Sequence, residues 1–316
     1  MRWTVAVATL LMLLGCHDGR KALMLESVGK PYEVLVVCDD STMAALVRAE
    51  LETPVYGLPQ AEPSFDVSTV DTKHLNATLR TTRNLVMVGK GNDNDIRIRH
   101  DVYAQPQIEV LVSAPSAQQL SRLMREKGQQ LRKVLTDNEM KAAHEQLERH
   151  HNAEAERTIR QLFGVEMLIP ADMTSSKRGK DFLWLSNNSP DAMQNVCIYI
   201  YKKGTDLHNV RWVTLRDSVM RANIPGEEPG MYMRTVNEPY ERQVIGRMEG
   251  QRYSFCGLWE MTGDMMGGPF SCVAIADTAR QRIIVAEAFV YAPGRSKRNL
   301  MMALQPVVSS INIHQK

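Results

Sequence analysis

Apolar and polar positions along this chain follow two periods, and the change from one to the other marks most of its elements. "YEVLVVCDD" (32 to 40), "NLVMVGK" (84 to 90) and "QIEVLVSA" (107 to 114) are short apolar runs with polar ends, which predicts buried strands. Asp40 or Ser41 then N-caps a helix over "TMAALVRAEL", and "ETPVYGLPQAEPSFDV", with its three prolines, is extended loop. Ser116 and Gln119 form a capping box, after which Leu120, Leu123, Met124, Leu131, Val134 and Leu135 recur at the spacing of one helix face. A second capping box, Thr136 with Glu139, predicts a break or kink. The pattern resumes at Met140, Ala143, Leu147, Ile159 and Leu162 and stops at Gly164. The tract near 116–163 is therefore one long helix or an αα-hairpin.

The second half repeats this grammar. "VEMLIP", "DFLWLSNN" and "VCIYIYKK" read as strands, "VRWVTLRDSVMRANIPG" as a helix, and "MYMRTV", "RYSFCGLWEM", "FSCVAIA" and "RIIVAEAFVYAP" as four further strands. "SKRNLMMALQPVVSSI" closes the chain as a helix, with Ser296 as N-cap and Pro306 as a kink. Strand runs beside separate helices predict an α+β fold of antiparallel β-sheet layers covered by helices. The expected division is an N-terminal α+β subdomain over 31–164 and a C-terminal one over 165–316.

Composition narrows the partners. Lys plus Arg is 38 and Asp plus Glu is 36, a net charge of +2, so nothing recommends nucleic acid. The first sixteen residues, "MRWTVAVATLLMLLGC", place Arg2 before an apolar run too short to span a bilayer, which reads as a signal peptide. Gly15 before Cys16 is similar to the lipobox of bacterial lipoproteins, so Cys16 is the expected lipidated N-terminus after cleavage, with 17–30 as a tether. The alternative is a plain secretory signal. Cys38, Cys197, Cys256 and Cys272 remain; an exported protein permits disulfides among them, while their apolar surroundings suit buried thiols, and their state stays open.

The densest oddity is "GLWEMTGDMMGGPF" (257 to 270). It has no lysine, and Pro269 removes an N–H, so it is no phosphate cradle. Tyr253 to Met261 alternates at strand period and Phe270 to Ala276 is strand-like again, which predicts a long hairpin loop whose glycines supply positive φ and close approach. That loop is the expected binding surface, formed by residues 231 to 270, with Trp184, Trp259, Gly267, Gly268 and Phe270. Met231, Met233, Met261, Met265 and Met266 carry soft thioethers, and His144, Glu148 and His151 share one face at i, i+4 and i+7. Core packing and an amphipathic helix are the favoured accounts of both groups, so neither metal nor cofactor is expected. Glu260 and Glu287 each interrupt an apolar strand and, with Asp264, are the weak candidates for acid or base catalysis; either could instead face water or meet an arginine. Arg295, Lys297 and Arg298 crowd a helix start, where the dipole disfavours cations; they meet an anion or lie in a solvated loop.

"FLWLSNN", "CIYIY", "LRDSVMRANIPG", "MYMRT", "GLWEM", "MMGGPF" and "FVYAPGRSKRNLM" together resemble domain of unknown function family 4837. The resemblance implies a bacterial envelope lipoprotein of the Bacteroidetes and transfers no catalytic residue. "CHDGRK" after the lipobox has one acid and then two cations, which implies a periplasm-facing rather than a surface-exposed protein. The expectation is a lipid-anchored, non-enzymatic module of the cell envelope, held at the membrane by its anchor and binding a protein or glycan. The alternative is a hydrolase of an envelope polymer, acting through the three carboxylates.

Overall fold

The computed structural model describes residues 24–202, 204–236, 245–249 (backbone only) and 251–313. Cys16, the signal peptide and most of the tether lie outside the described residues. The fold is α+β, built on two large sheets.

In the first half the elements run β1 (Leu25–Glu26), β2 (Glu33–Val37), α1 (Ser41–Leu51), β3 (Asp66–Val70), α2 (Ala77–Arg80), β4 (Asn84–Lys90), β5 (Asp95–His100), β6 (Ala104–Gln105), β7 (Ile108–Ala114) and α3 (Ala117–Arg149). The five-stranded sheet has the order β3-β2-β4-β7-β5. Four of its strands are parallel, and only the edge strand β5 runs antiparallel, so the expected antiparallel layering belongs to the second sheet. The physical reason is visible in the strands: β2, β4 and β7 are near-continuous apolar runs, the pattern of strands enclosed on both faces. One face packs against α1 and α3 through Met43, Val47, Leu51, Leu120 and Leu131. Asp40 caps α1, accepting from the N–H groups of Thr42 and Met43.

α3 is a single helix of 33 residues, capped by Ser116. It passes through Thr136 and Glu139 without a break, because Glu139 serves a different purpose, described below. The chain turns only at His150, and Asn152 caps α4 (Ala153–Phe163), which ends at Gly164 in the left-handed conformation (φ +63°). Ala155, Ile159 and Phe163 pack into the core of the second half, so α4 groups with that half, although the sequence reading places the division after 164.

The second half continues with β8 (Val165–Glu166), β9 (Ser175–Gly179), β10 (Phe182–Ser186), β11 (Met193–Tyr201), α5 (Trp212–Asn223), β12 (Met233–Thr235), β13 (Ile245–Glu249), β14 (Arg252–Met261), β15 (Gly267–Asp277), β16 (Arg282–Tyr291), α6 (Arg298–Ser309) and β17 (Asn312–Ile313). Its antiparallel sheet has the order β12-β14-β15-β16-β11-β10-β9, with β13 also on β14. Alternate residues feed two cores. Val196, Ile198, Ile284 and Ala286 face a core shared with α4 and α6, while Cys197, Tyr199, Val285 and Phe289 face one covered by α5.

α6 joins the halves. Its cap position is Lys297 rather than Ser296, and the cations at its start do meet an anion: Glu62, from the proline-rich loop, accepts the N–H groups of Lys297 and Arg298 at 2.7 and 2.9 Å. The Arg298 side chain reaches Asp66 and the Pro63 carbonyl.

Candidate functional site

The stretch 257–270 forms a hairpin between β14 and β15. Its turn is Thr262 to Met266, closed by the Met261 N–H donating to the Met266 carbonyl at 2.9 Å, with Gly263 at φ +80°. Gly267 and Gly268 lie inside β15 rather than in the loop. Close approach is the reason for glycine: a Cβ on Gly268 would stand 2.1 Å from the Val290 carbonyl oxygen, and one on Gly267 would stand 2.9 Å from that of Trp259.

Against this hairpin lies a cleft of about 370 Å³. Leu258, Trp259 and Tyr291 line it together with Glu260, Asp264, Met265 and Met266, and Pro59, Gln60 and Pro293 belong to the same lining. Met265 is wholly exposed. The expected binding residues divide here. Trp259, Gly267 and Gly268 line the cleft, although Trp259 is itself core, its indole N–H donating to Val290 O at 3.3 Å. Phe270 and Trp184 do not line it. Phe270 is buried, and Trp184 packs at 6.2 Å from Phe289 with its indole N–H on Asn195.

The three candidate carboxylates do not converge. Glu260 pairs with Arg234 on the adjacent strand, both partly exposed. Asp264 sits in the turn and accepts the Met265 N–H at 2.6 Å. Glu287 is cross-strand to Cys272, which is cross-strand to Phe255; Glu260, five positions further along β14, falls on the opposite face.

Glu287 instead anchors a sealed polar cluster under α5. Arg216 donates from Nε (3.0 Å) and Nη2 (2.8 Å) to Oε1, and both side chains have zero exposure. The second oxygen takes the Tyr199 hydroxyl at 3.2 Å and the Cys272 thiol at 3.3 Å. Nη1 of Arg216 donates to Thr235 Oγ1 at 3.0 Å, and the Phe270 ring lies 3.9 Å from the guanidinium carbon. Burial and then the Glu287 charge push the Cys272, Cys197 and Tyr199 acids well up, so all three stay protonated. For Arg216, burial pulls downward, but Glu287 and its neighbours outweigh it and the guanidinium stays above its ordinary value. Cys272 is thus a neutral donor, not a thiolate nucleophile.

Arg216 escaped the sequence reading, yet Trp212, Arg216 and Met220 recur every fourth residue on the buried stripe of α5. An arginine on such a stripe requires an acid. Leu131, Leu135 and Glu139 repeat the signal on α3, where Glu139 takes hydrogen bonds from Arg83 and Asn84.

The remaining motifs disperse. His144 pairs with Glu148, while His151 lies beyond the helix and meets Glu156 at 2.9 Å, so the three do not share a face. Met233 and Met261 are core. The four cysteines are free thiols, and Cys256 pairs with Ser271, one register step from Cys272, which puts the two on opposite faces. A further crevice, of about 540 Å³, opens at the carboxyl ends of β2 and β4, where the strand order reverses. Its polar groups are already engaged: Asp40 caps α1 and meets Lys90 at 3.6 Å, Asp39 accepts the Thr72 N–H, and Cys38 donates to the Asp40 carbonyl.

Comparison with known proteins gives families rather than activities. Residues 152–310 match the family described as Domain of unknown function (DUF4837), and the chain belongs to it. Residues 27–148 match a second, Domain of unknown function (DUF8532). No curated protein matches. Among solved structures, the Ran-binding protein Mog1p of Saccharomyces cerevisiae is similar at 12% identity and a TM-score of 0.32, over 48% of this chain and 91% of that one. A point mutant of protein Mog1 is similar at the same identity and TM-score, over 48% and 92%.

Proposed function

We propose that this member of the DUF4837 family is a lipid-anchored protein of the bacterial cell envelope that binds a protein or glycan partner through the cleft at the 257–270 hairpin. The observation that carries the reading is the cleft itself, where the partly exposed Tyr291, two carboxylates and a fully exposed methionine meet at the hairpin. Exposed methionine adapts to varied partner surfaces, and aromatic floors anchor interfaces. Support for the anchor comes from the sequence: Arg2, then the apolar run of residues 3–15 followed by Cys16. Acyl chains at Cys16 would hold the protein on a membrane, and the two cations after Asp18 favour the periplasmic side.

A photo-crosslinker at position 265 tests the binding reading in intact envelopes, with one at exposed Ile98, on the first sheet, as control. The expected result is a discrete protein or glycan adduct from position 265 alone. Equal labelling from both positions would overturn the cleft assignment. The anchor is tested separately by mass spectrometry of the purified protein: an unmodified Cys16 thiol removes it.

A further inference from the structure

A second groove, remote from the hairpin cleft in its lining residues, lies between the β9–β10 hairpin and α5. β9 is the outer edge of the eight-stranded sheet, and all five of its residues are exposed. Hairpin and helix touch where Gly179 meets Asn223: a Cβ on Gly179 would stand 2.2 Å from Asn223 Oδ1, so any larger residue would have to displace that side chain. Beside this contact the groove encloses about 640 Å³, within the range of small-molecule sites. Phe182 and Tyr199 lie in its lining as buried rings, and Ser218 and Asn223 line it from the helix.

Its charge is one-sided. Lys177 and Lys180 line the groove, and neither has a carboxylate partner among the described residues, whereas Arg178, cross-strand to Leu183, sends its side chain to the opposite face of the sheet. The single acid in the lining, Asp181, is taken by Lys202 at 2.6 Å. On the helix, Asp217 is occupied by the Thr235 N–H and hydroxyl, and Arg216 by Glu287. In a chain whose net charge is only +2, two cations at one cavity without a carboxylate partner among the described residues are a local concentration. Lysines on an edge strand commonly deter sheet-to-sheet pairing, but that task requires neither a cavity nor hydroxyl and amide groups opposite.

We propose that this groove binds a phosphate group, carried either by a soluble phosphate compound or by a lipid headgroup. A carboxylate is balanced by one cation, whereas two ammonium groups at one cavity suit a group of higher charge and several acceptor oxygens.

The test uses the full chain carrying Cys16→Ser, so that no acyl group contributes, and two probes. Inorganic pyrophosphate is titrated by calorimetry, and co-sedimentation compares phosphatidylcholine vesicles with and without phosphatidylglycerol. The double variant Lys177→Gln, Lys180→Gln should bind the responsive probe about tenfold more weakly. A charge-matched control, Arg122→Gln, Lys127→Gln on exposed positions of α3, should change it by less than about twofold. Response to pyrophosphate assigns a soluble ligand, and response only to anionic vesicles assigns a headgroup. Absence of binding to both, equal losses in the two variants, or retention of polyglutamate in place of phosphate would each overturn the proposal. Both positions are exposed, so thermal unfolding of the variant should match that of the parent.

Discussion

Each half of the molecule buries a glutamate in an apolar stripe and answers it with an arginine, but the two are satisfied to different degrees. In the second half, Glu287 and Arg216 are both at zero exposure, and every oxygen of the carboxylate has donors. In the first half, Glu139 is 1% exposed but Arg83 is 20% exposed. Around Glu139, the Arg83 Nε, the Asn84 Oδ1 and the Tyr32 hydroxyl are buried without a hydrogen-bond partner among the described residues. Burial and then the Glu139 charge push the Tyr32 phenol far above its ordinary value, so it stays neutral. The difference teaches that a charge sealed on all sides persists only with a complete shell, whereas one whose partner reaches solvent tolerates a partial shell.

The comparison can be broken first at its sealed end. Arg216→Met leaves a buried carboxylate unpaired and should cost about 3–5 kcal/mol in urea unfolding. Adding Glu287→Met should restore most of that loss; failure to restore it would show that the arginine acts through packing and not through charge. At the partial end, Glu139→Gln keeps the shape and removes the charge, and should cost about 1–3 kcal/mol by the same measurement. A cost equal to that of Arg216→Met would erase the distinction.

The thiols beside Glu287 sharpen it further. Cys197 and Cys272 have folded values raised above the ordinary 9.0, so their contribution is whole below that value and is lost as the pH rises through the folded ones. Stability should therefore fall above about pH 9, with a shallower fall in Cys272→Ala; an unchanged slope would mean that the thiol is indifferent to its neighbour. The smallest effect belongs to the exposed pair: Glu260→Gln should cost no more than about 0.5 kcal/mol, since exposed ion pairs contribute little. If Glu260 contributes more, it belongs with the buried carboxylates and not with the rim of the cleft.

Much of this fold was legible in the alternation of residues. The strands at 33–37, 84–90 and 108–114, the cap at Asp40, the start of α3 at Ser116 and the end of α4 at Gly164 all follow local rules. Other elements were not legible. "SSKRG" forms β9 with no apolar residue, because its hydrogen bonds come from β10 and its side chains need no core. "DIRIRH" forms β5 on the edge of β7, with Ile96 alone packed against the core and the rest of the strand held by its hydrogen bonds to β7. The capping box at Thr136 and Glu139 misled, since a carboxylate three residues after a threonine looks the same whether it turns to the backbone or to an arginine 56 positions away. Of the candidate site, the hairpin around 257–270 was legible; the wall that Pro59 and Gln60 give it was not.

By itself, then, the sequence determined what depends on neighbours along the chain: element types, caps, the family, and which stretch carries an unusual turn. The tertiary structure alone decided strand direction, the partner of every buried charge, and which glycines are tight. Those are matters of register and of contact between distant segments, where one step moves a side chain to the opposite face and turns a pair of cysteines or carboxylates from neighbours into strangers.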